Sequence, residues 1–122
     1  METIFNEIFT TEGRINRFPY FKYQIILLAA SFAVGFVFNF IGALLTGTTD
    51  SLIGLVPTGV FSLCISVGSI MLGIRRLHDL EKSGWFMLLV LIPFVNIIFG
   101  LYLLLASGTV GYNKYGSDPL TR

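Results

Sequence analysis

Residues 23–45 read YQIILLAASFAVGFVFNFIGALL and residues 51–74 read SLIGLVPTGVFSLCISVGSIMLGI, two long stretches without a single Asp, Glu, Lys or Arg. A helix rises about 1.5 Å per residue, so about 20 residues cross a hydrocarbon core of about 30 Å. Both stretches are long enough to span a membrane. The link between them, TGTTD at 46–50, is short and polar and contains Gly47, which predicts a tight antiparallel pair of helices. Pro57 lies early in the second stretch. Because proline is tolerated in a first helical turn, its position predicts a helix beginning near Val56, with 52–56 at the interface.

A third apolar stretch, 84–107, is also long enough to cross once, but its middle reads Ile92-Pro93-Phe94-Val95-Asn96. Pro93 removes a backbone donor, and Asn96 is costly in lipid. Two readings fit: a single kinked span, or a re-entrant hairpin whose limbs, of about ten residues and about 15 Å each, reach midplane and return. The basic residues favour the hairpin. Arg14, Arg17 and Lys22 precede the first span; Arg75, Arg76 and Lys82 follow the second; Lys114 and Arg122 follow the third; the 46–50 link has none. Since cytoplasmic flanks collect Lys and Arg, the N-terminus and the 75–82 loop are expected in the cytoplasm, and a hairpin keeps the last two charges there too. At the start of the chain Ile4, Phe5, Ile8 and Phe9 recur at helical spacing with Glu2 and Glu7 elsewhere, which predicts a short amphipathic helix on the membrane surface. The expected fold is therefore an all-α integral membrane protein and one membrane domain over 1–122. Its parts are an interfacial N-terminus at 1–22, spans at 23–45 and 51–74, a third membrane segment at 84–107 and a polar tail at 108–122.

Composition agrees with that solvent. Of 122 residues 54% are hydrophobic and 12% charged, a joint departure from soluble averages. Eight basic and seven acidic residues nearly cancel, so net charge predicts no nucleic-acid partner. Cys64 is a single cysteine and His78 a single histidine, which excludes an internal disulfide and a four-ligand zinc site. Glu2 and Glu7 stand where a secretory leader would be basic, so the first apolar run is expected to stay in the protein. No complete catalytic, metal or nucleotide signature is present. No cofactor and no enzyme activity are expected.

Two groups of residues remain. In the second span Ser62, Ser66, Ser69 and Gly73 share one helix face, where small side chains allow close helix approach; packing against Ala29, Ala30, Ala33 and Gly35 of the first span or against a second copy would use it. Cys64 reads as inert packing among apolar neighbours. The densest polar constellation is Arg75-Arg76-Leu77-His78-Asp79 followed by Ser83-Gly84-Trp85, where the second span meets water. Arginines there anchor a span on lipid phosphates, Trp85 marks the interface, and Ser83 can cap the next helix. A binding account has Arg75 and Arg76 clamp a phosphate or carboxylate beside His78 as proton carrier. Neighbouring side chains on a helix point about 100° apart, which argues against a catalytic relay. With the hairpin, Arg14, Arg17, Asn113, Tyr115 and Asp118 join this cluster on one membrane face, and Asp79 or Asp118 can pair with Arg14, Arg17, Arg75 or Arg76.

Gly13-Arg14 with Arg17, the 75–79 run continuing to Ser83-Gly84-Trp85, and the ending Gly108, Gly111, Asn113, Tyr115, Gly116, Asp118, Pro119 resemble the bacterial inner-membrane family called domain of unknown function 805. The resemblance runs from about residue 10 to 119. Pro19 stands where that family usually has an acidic residue before its aromatics, here Tyr20 and Phe21, and Phe86 replaces the second of paired tryptophans. What the resemblance implies is a compact multi-pass protein of the bacterial inner membrane, with no activity in the family's name. The lipid bilayer is the expected surroundings. The expected partners are a second copy or another membrane protein, with an anionic solute or lipid headgroup on the arginine-rich face as the alternative.

Overall fold

The computed structural model describes residues 2–119. Four α-helices follow in order: α1 (Glu2–Ile8), α2 (Arg17–Thr46), α3 (Leu52–Asp79) and α4 (Val95–Leu105), with a 3-10 helix (Gly84–Leu91) between the last two. Among the described residues there is no strand, only one isolated bridge between Asn113 and Gly116. Two helices, α2 and α3, are long and apolar enough to cross a membrane, and only 11% of each apolar window is buried inside the chain. Phe32, Phe36 and Leu63 stand 70% or more exposed. Water would not tolerate so continuous an apolar surface; lipid would.

Both helices run beyond their apolar stretches. α2 starts at Arg17, with Pro19 as its third residue, where the missing N–H has no helical acceptor to lose. It ends at Gly47, whose left-handed φ of 77° lets its N–H close on Ala43 O at 2.8 Å. α3 begins at Leu52, not near Val56. Ser51 caps it, accepting from Gly54 N through its side chain (3.4 Å) and from Leu55 N through its carbonyl (3.0 Å). With the start fixed by that cap, Pro57 falls inside the helix and costs a single backbone hydrogen bond. At 30 and 28 residues the helices are about 45 and 42 Å long, against a core of about 30 Å. The surplus carries Arg17 and residues 75–79 out of the apolar layer.

α2 and α3 approach closely near their link, away from the serine face. A Cβ on Gly54 would sit 2.8 Å from Asn39 Oδ1 and 2.9 Å from Asn39 Cα, and one on Gly42 would overlap Ser51 Oγ. Asn39 completes the contact, donating to Thr58 Oγ1 at 3.3 Å and to Gly35 O at 2.7 Å. The expected packing face divides instead. Gly73 lies against Met87 of the 3-10 helix, Ser69 bonds Gln24 of α2 at 2.9 Å, and Ser62 and Ser66 are exposed. Ser66 donates to Ser62 O one turn back. The tight contact near the link has a geometric reason: glycine there removes the side chain. Cys64 corrects a second expectation, since it is exposed on the outer surface of α3 and is not packed among apolar neighbours.

The third apolar stretch divides at 92–94. Ser83 caps the 3-10 helix, accepting from Trp85 N at 3.3 Å. After Pro93, Phe94 takes a left-handed φ of 67° and α4 begins. The end of α4 lies beside the end of α3 and the start of α2, because Arg76 reaches Leu103 O and Arg17 reaches Leu105 O. At the other terminus Ile8 and Phe9 close α1 onto Gly68 of α3.

Candidate functional site

Where these ends converge, the polar residues close on one another. Asp79, the last residue of α3, is 1% exposed and lies between two arginines. Arg14 forks onto Oδ1 through Nε (3.1 Å) and Nη2 (2.9 Å), while Arg76 meets Oδ2 through Nη1 at 2.7 Å. The one carboxylate of Asp79 cannot take every donor of two guanidinium groups. Main-chain carbonyls take the rest: Arg76 donates to Leu103 O (2.6 Å) and Ala106 O at the negative end of α4, and Arg14 to Thr109 O (2.5 Å), Gly111 O (2.6 Å) and Gly116 O (3.2 Å). Asp79 O in turn accepts from Thr109 N at 2.7 Å. A Cβ on Gly108 would overlap the Asp79 carboxylate.

The tail is shaped to meet these donors. Asn113 and Gly116 exchange backbone hydrogen bonds of 3.0 Å each, Asn113 Oδ1 accepts from Tyr115 N, and Asp118 Oδ2 accepts from Gly111 N at 2.9 Å. The turn is fastened to α3 by Asn113 Nδ2, which donates to His78 O at 3.0 Å. Tyr115 stacks flat on His78, centroids 4.0 Å apart. Nδ1 of His78 lies 3.1 Å from Gly13 O; a carbonyl only accepts, so Nδ1 carries the proton. Ile15 N donates to Arg75 O, joining the N-terminal segment to the same helix end.

Of the residues singled out in the sequence, Arg14, Arg76, His78, Asp79, Asn113, Tyr115 and Asp118 therefore form one cap. Arg75 turns the other way, to Glu7 O (2.5 Å) and the Glu7 carboxylate (3.7 Å) on α1, with its Nε buried and unpaired among the described residues. Arg17 is exposed, and Trp85 stands 80% exposed beside a recess of about 420 Å³ lined by Thr11, His78, Ser83 and Tyr115. A clamp formed by Arg75 and Arg76 does not occur, because the Arg76 side chain is fully buried and its donors are spent inside the chain. Among the described residues no three His, Cys, Asp or Glu side chains gather as a metal site would need.

The sequence reading missed the acceptors. Leu103, Ala106, Thr109 and Glu7 contribute backbone oxygens, for which no side-chain motif exists. It also missed a cleft of about 640 Å³ between α2, α3 and α4, open at the side, whose polar lining includes Gln24, Ser31, Ser66, Ser69 and Asn96.

The family model described as Protein of unknown function (DUF805) matches residues 8–117, from the end of α1 through the tail turn. The chain belongs to the DUF805 family. Inner membrane protein YhaH of Escherichia coli K12 is 28% identical over 107 residues, covering 88% of this chain and 84% of that protein. Inner membrane protein YhaI of the same organism is 46% identical over 48 residues, 39% of this chain and 41% of YhaI. No solved structure matches. This DUF805 chain is thus an integral membrane protein, similar to proteins named for the inner membrane.

Proposed function

We propose that this chain is a non-enzymatic module of the bacterial inner membrane that assembles laterally, with a second copy or with another membrane protein. The observation that carries the reading is the contrast between its two polar regions. In the cap, Arg14, Arg76 and Asp79 satisfy one another and the tail carbonyls, so little charge is left to hold a ligand. In the apolar layer, the cleft between α2, α3 and α4 stands open with Ser31, Ser66 and Asn96 on its walls. Small and polar residues at such a depth suit the approach of another helix.

The N-terminus and cap face the cytoplasm in this reading, and the 84–107 segment enters the membrane and returns. Support comes from Arg17 and Arg76, which hold the carbonyls of Leu105 and Leu103 at their own end of the molecule, and from the basic residues gathered there. α1 then lies along the cytoplasmic surface. A reporter that works only in the cytoplasm, fused to the C-terminus, is expected to be active; a fusion active only in the periplasm would overturn the re-entrant segment.

Ser66→Trp tests assembly. Ser66 is exposed in the cleft, so the bulky ring is expected to leave the monomer folded and to remove the cross-linked species formed in native membranes. Gly73 and Ser69 are poor probes, since they pack on Met87 and Gln24. A chain monomeric in membranes and without a cross-linked partner would sink the reading.

A further inference from the structure

The apolar segments contain three carboxamides, Gln24, Asn39 and Asn96. Two are satisfied inside the chain: Gln24 accepts from Ser69 Oγ (2.9 Å) and donates to Ser69 O (3.4 Å), and Asn39 donates to Gly35 O and Thr58 Oγ1. The Asn96 side chain lines the cleft and makes no hydrogen bond among the described residues. Its depth makes this costly. Asn96 lies nine residues before Leu105, whose carbonyl meets Arg17, so with the re-entrant segment proposed above and α4 along the membrane normal it sits about 14 Å into a core of about 30 Å. Lipid offers no hydrogen-bonding group there.

We infer that a second copy of this chain covers the cleft, related by a two-fold axis along the membrane normal, so that Asn96 of one protomer pairs with Asn96 of its partner. The inference rests on lateral assembly and names the occupant. A second copy carries its own cap to the same interface and so brings an amide to the same depth. A carboxamide is self-complementary, with C=O and NH2 on one side chain. Around a two-fold axis the same patch meets itself, so no second kind of site is needed. The adjoining tip independently calls for a protein cover. Pro93 has no N–H, Phe94 is held at a φ of 67° and is 81% exposed, and irregular backbone at this depth persists where protein covers it.

The experiment uses the full chain in liposomes, in a Cys64→Ser background because Cys64 is itself exposed. Asn96→Cys is expected to form a disulfide dimer on mild oxidation, whereas Phe36→Cys, on the outward face of α2 and 71% exposed, stays monomeric. Asn96→Leu is expected to weaken self-association, read by energy transfer on dilution with lipid, by about tenfold. It should not unfold the monomer, since the Asn96 side chain makes no hydrogen bond to lose among the described residues. Failure of N96C to cross-link above the Phe36 control, or unchanged association of N96L, overturns the Asn96 contact while a dimer sensitive to Ser66→Trp keeps lateral assembly. The same N96C chain is also oxidised in native membranes, where cross-linking to a different protein overturns the second copy as occupant. A monomer at every lipid dilution in liposomes, with no other protein captured in native membranes, overturns both.

Discussion

Asp79→Ala is expected to destabilise the protein by about 3–5 kcal/mol, the cost of removing one partner from a buried ion pair. The measurement is thermal or SDS denaturation of the purified protein in detergent. The magnitude follows from what remains. Arg14 and Arg76, with side chains 1% and 0% exposed, would face each other without the carboxylate that separates them. Neither can swing out to water without abandoning the carbonyls of Leu103, Ala106, Thr109, Gly111 and Gly116. Asp79→Asn restores the shape but places an NH2 against a guanidinium donor, so it is expected to recover little. Arg14→Met should cost less than Asp79→Ala, because it leaves Asp79 and Arg76 as a matched pair. An Arg14→Met loss equal to the Asp79→Ala loss would show that separating two guanidinium groups is not what makes Asp79 indispensable.

This cluster also shows how far the sequence could be read. The two spans were legible because lipid demands long runs without charge, and hydropathy measures that directly. The gathering of charged residues was legible from their spacing along the chain, and the pairing of Asp79 with Arg14 and Arg76 fell within the combinations it allowed. Which arginines turn inward was not legible. Arg75 and Arg76 are chemically identical neighbours, and only the 100° step between them sends one to α1 and the other under the tail. The start of α3 departs from the position that Pro57 suggests, because the Ser51 cap sets the boundary and the helix carries the proline. The serine stripe reads as one face, and it divides: Ser69 meets Gln24 of α2, while Gly73 meets Met87. Gly42 and Gly54, without side chains, let the helices approach closely at the opposite end as well. Asn96 was legible as an expense in lipid, though not as the one carboxamide of the three without a hydrogen bond among the described residues.

Gly108→Ala is expected to cost about 3 kcal/mol, near the upper end for overpacking, although it adds one methyl to a polar tail. Gly108 is not held at a left-handed φ, unlike Gly111 at 78° and Gly116 at 134°, so conformational freedom is not what the position requires. Space is. The added Cβ would overlap one carboxylate oxygen of Asp79 and lie 2.5 and 2.8 Å from Cγ and the other oxygen. A flexible side chain could move aside, but this one is gripped by Arg14 and Arg76. The tail must move instead, and as it leaves, Arg14 loses the carbonyls of Thr109, Gly111 and Gly116 together. Trypsin reports the displacement, since exposed Lys114 should be cleaved faster once its turn is no longer fastened to His78. Gly100→Ala is the control: nothing lies within 4 Å of its added Cβ, so no overlap opposes it, and in the interior of α4 it should stabilise by about 0.5–1 kcal/mol. The decisive comparison is the double variant. If Gly108→Ala acts through the Asp79 carboxylate, adding it to Asp79→Ala should cost almost nothing more, because the obstructing oxygens are already gone. Fully additive losses would place the effect of Gly108 somewhere other than this contact.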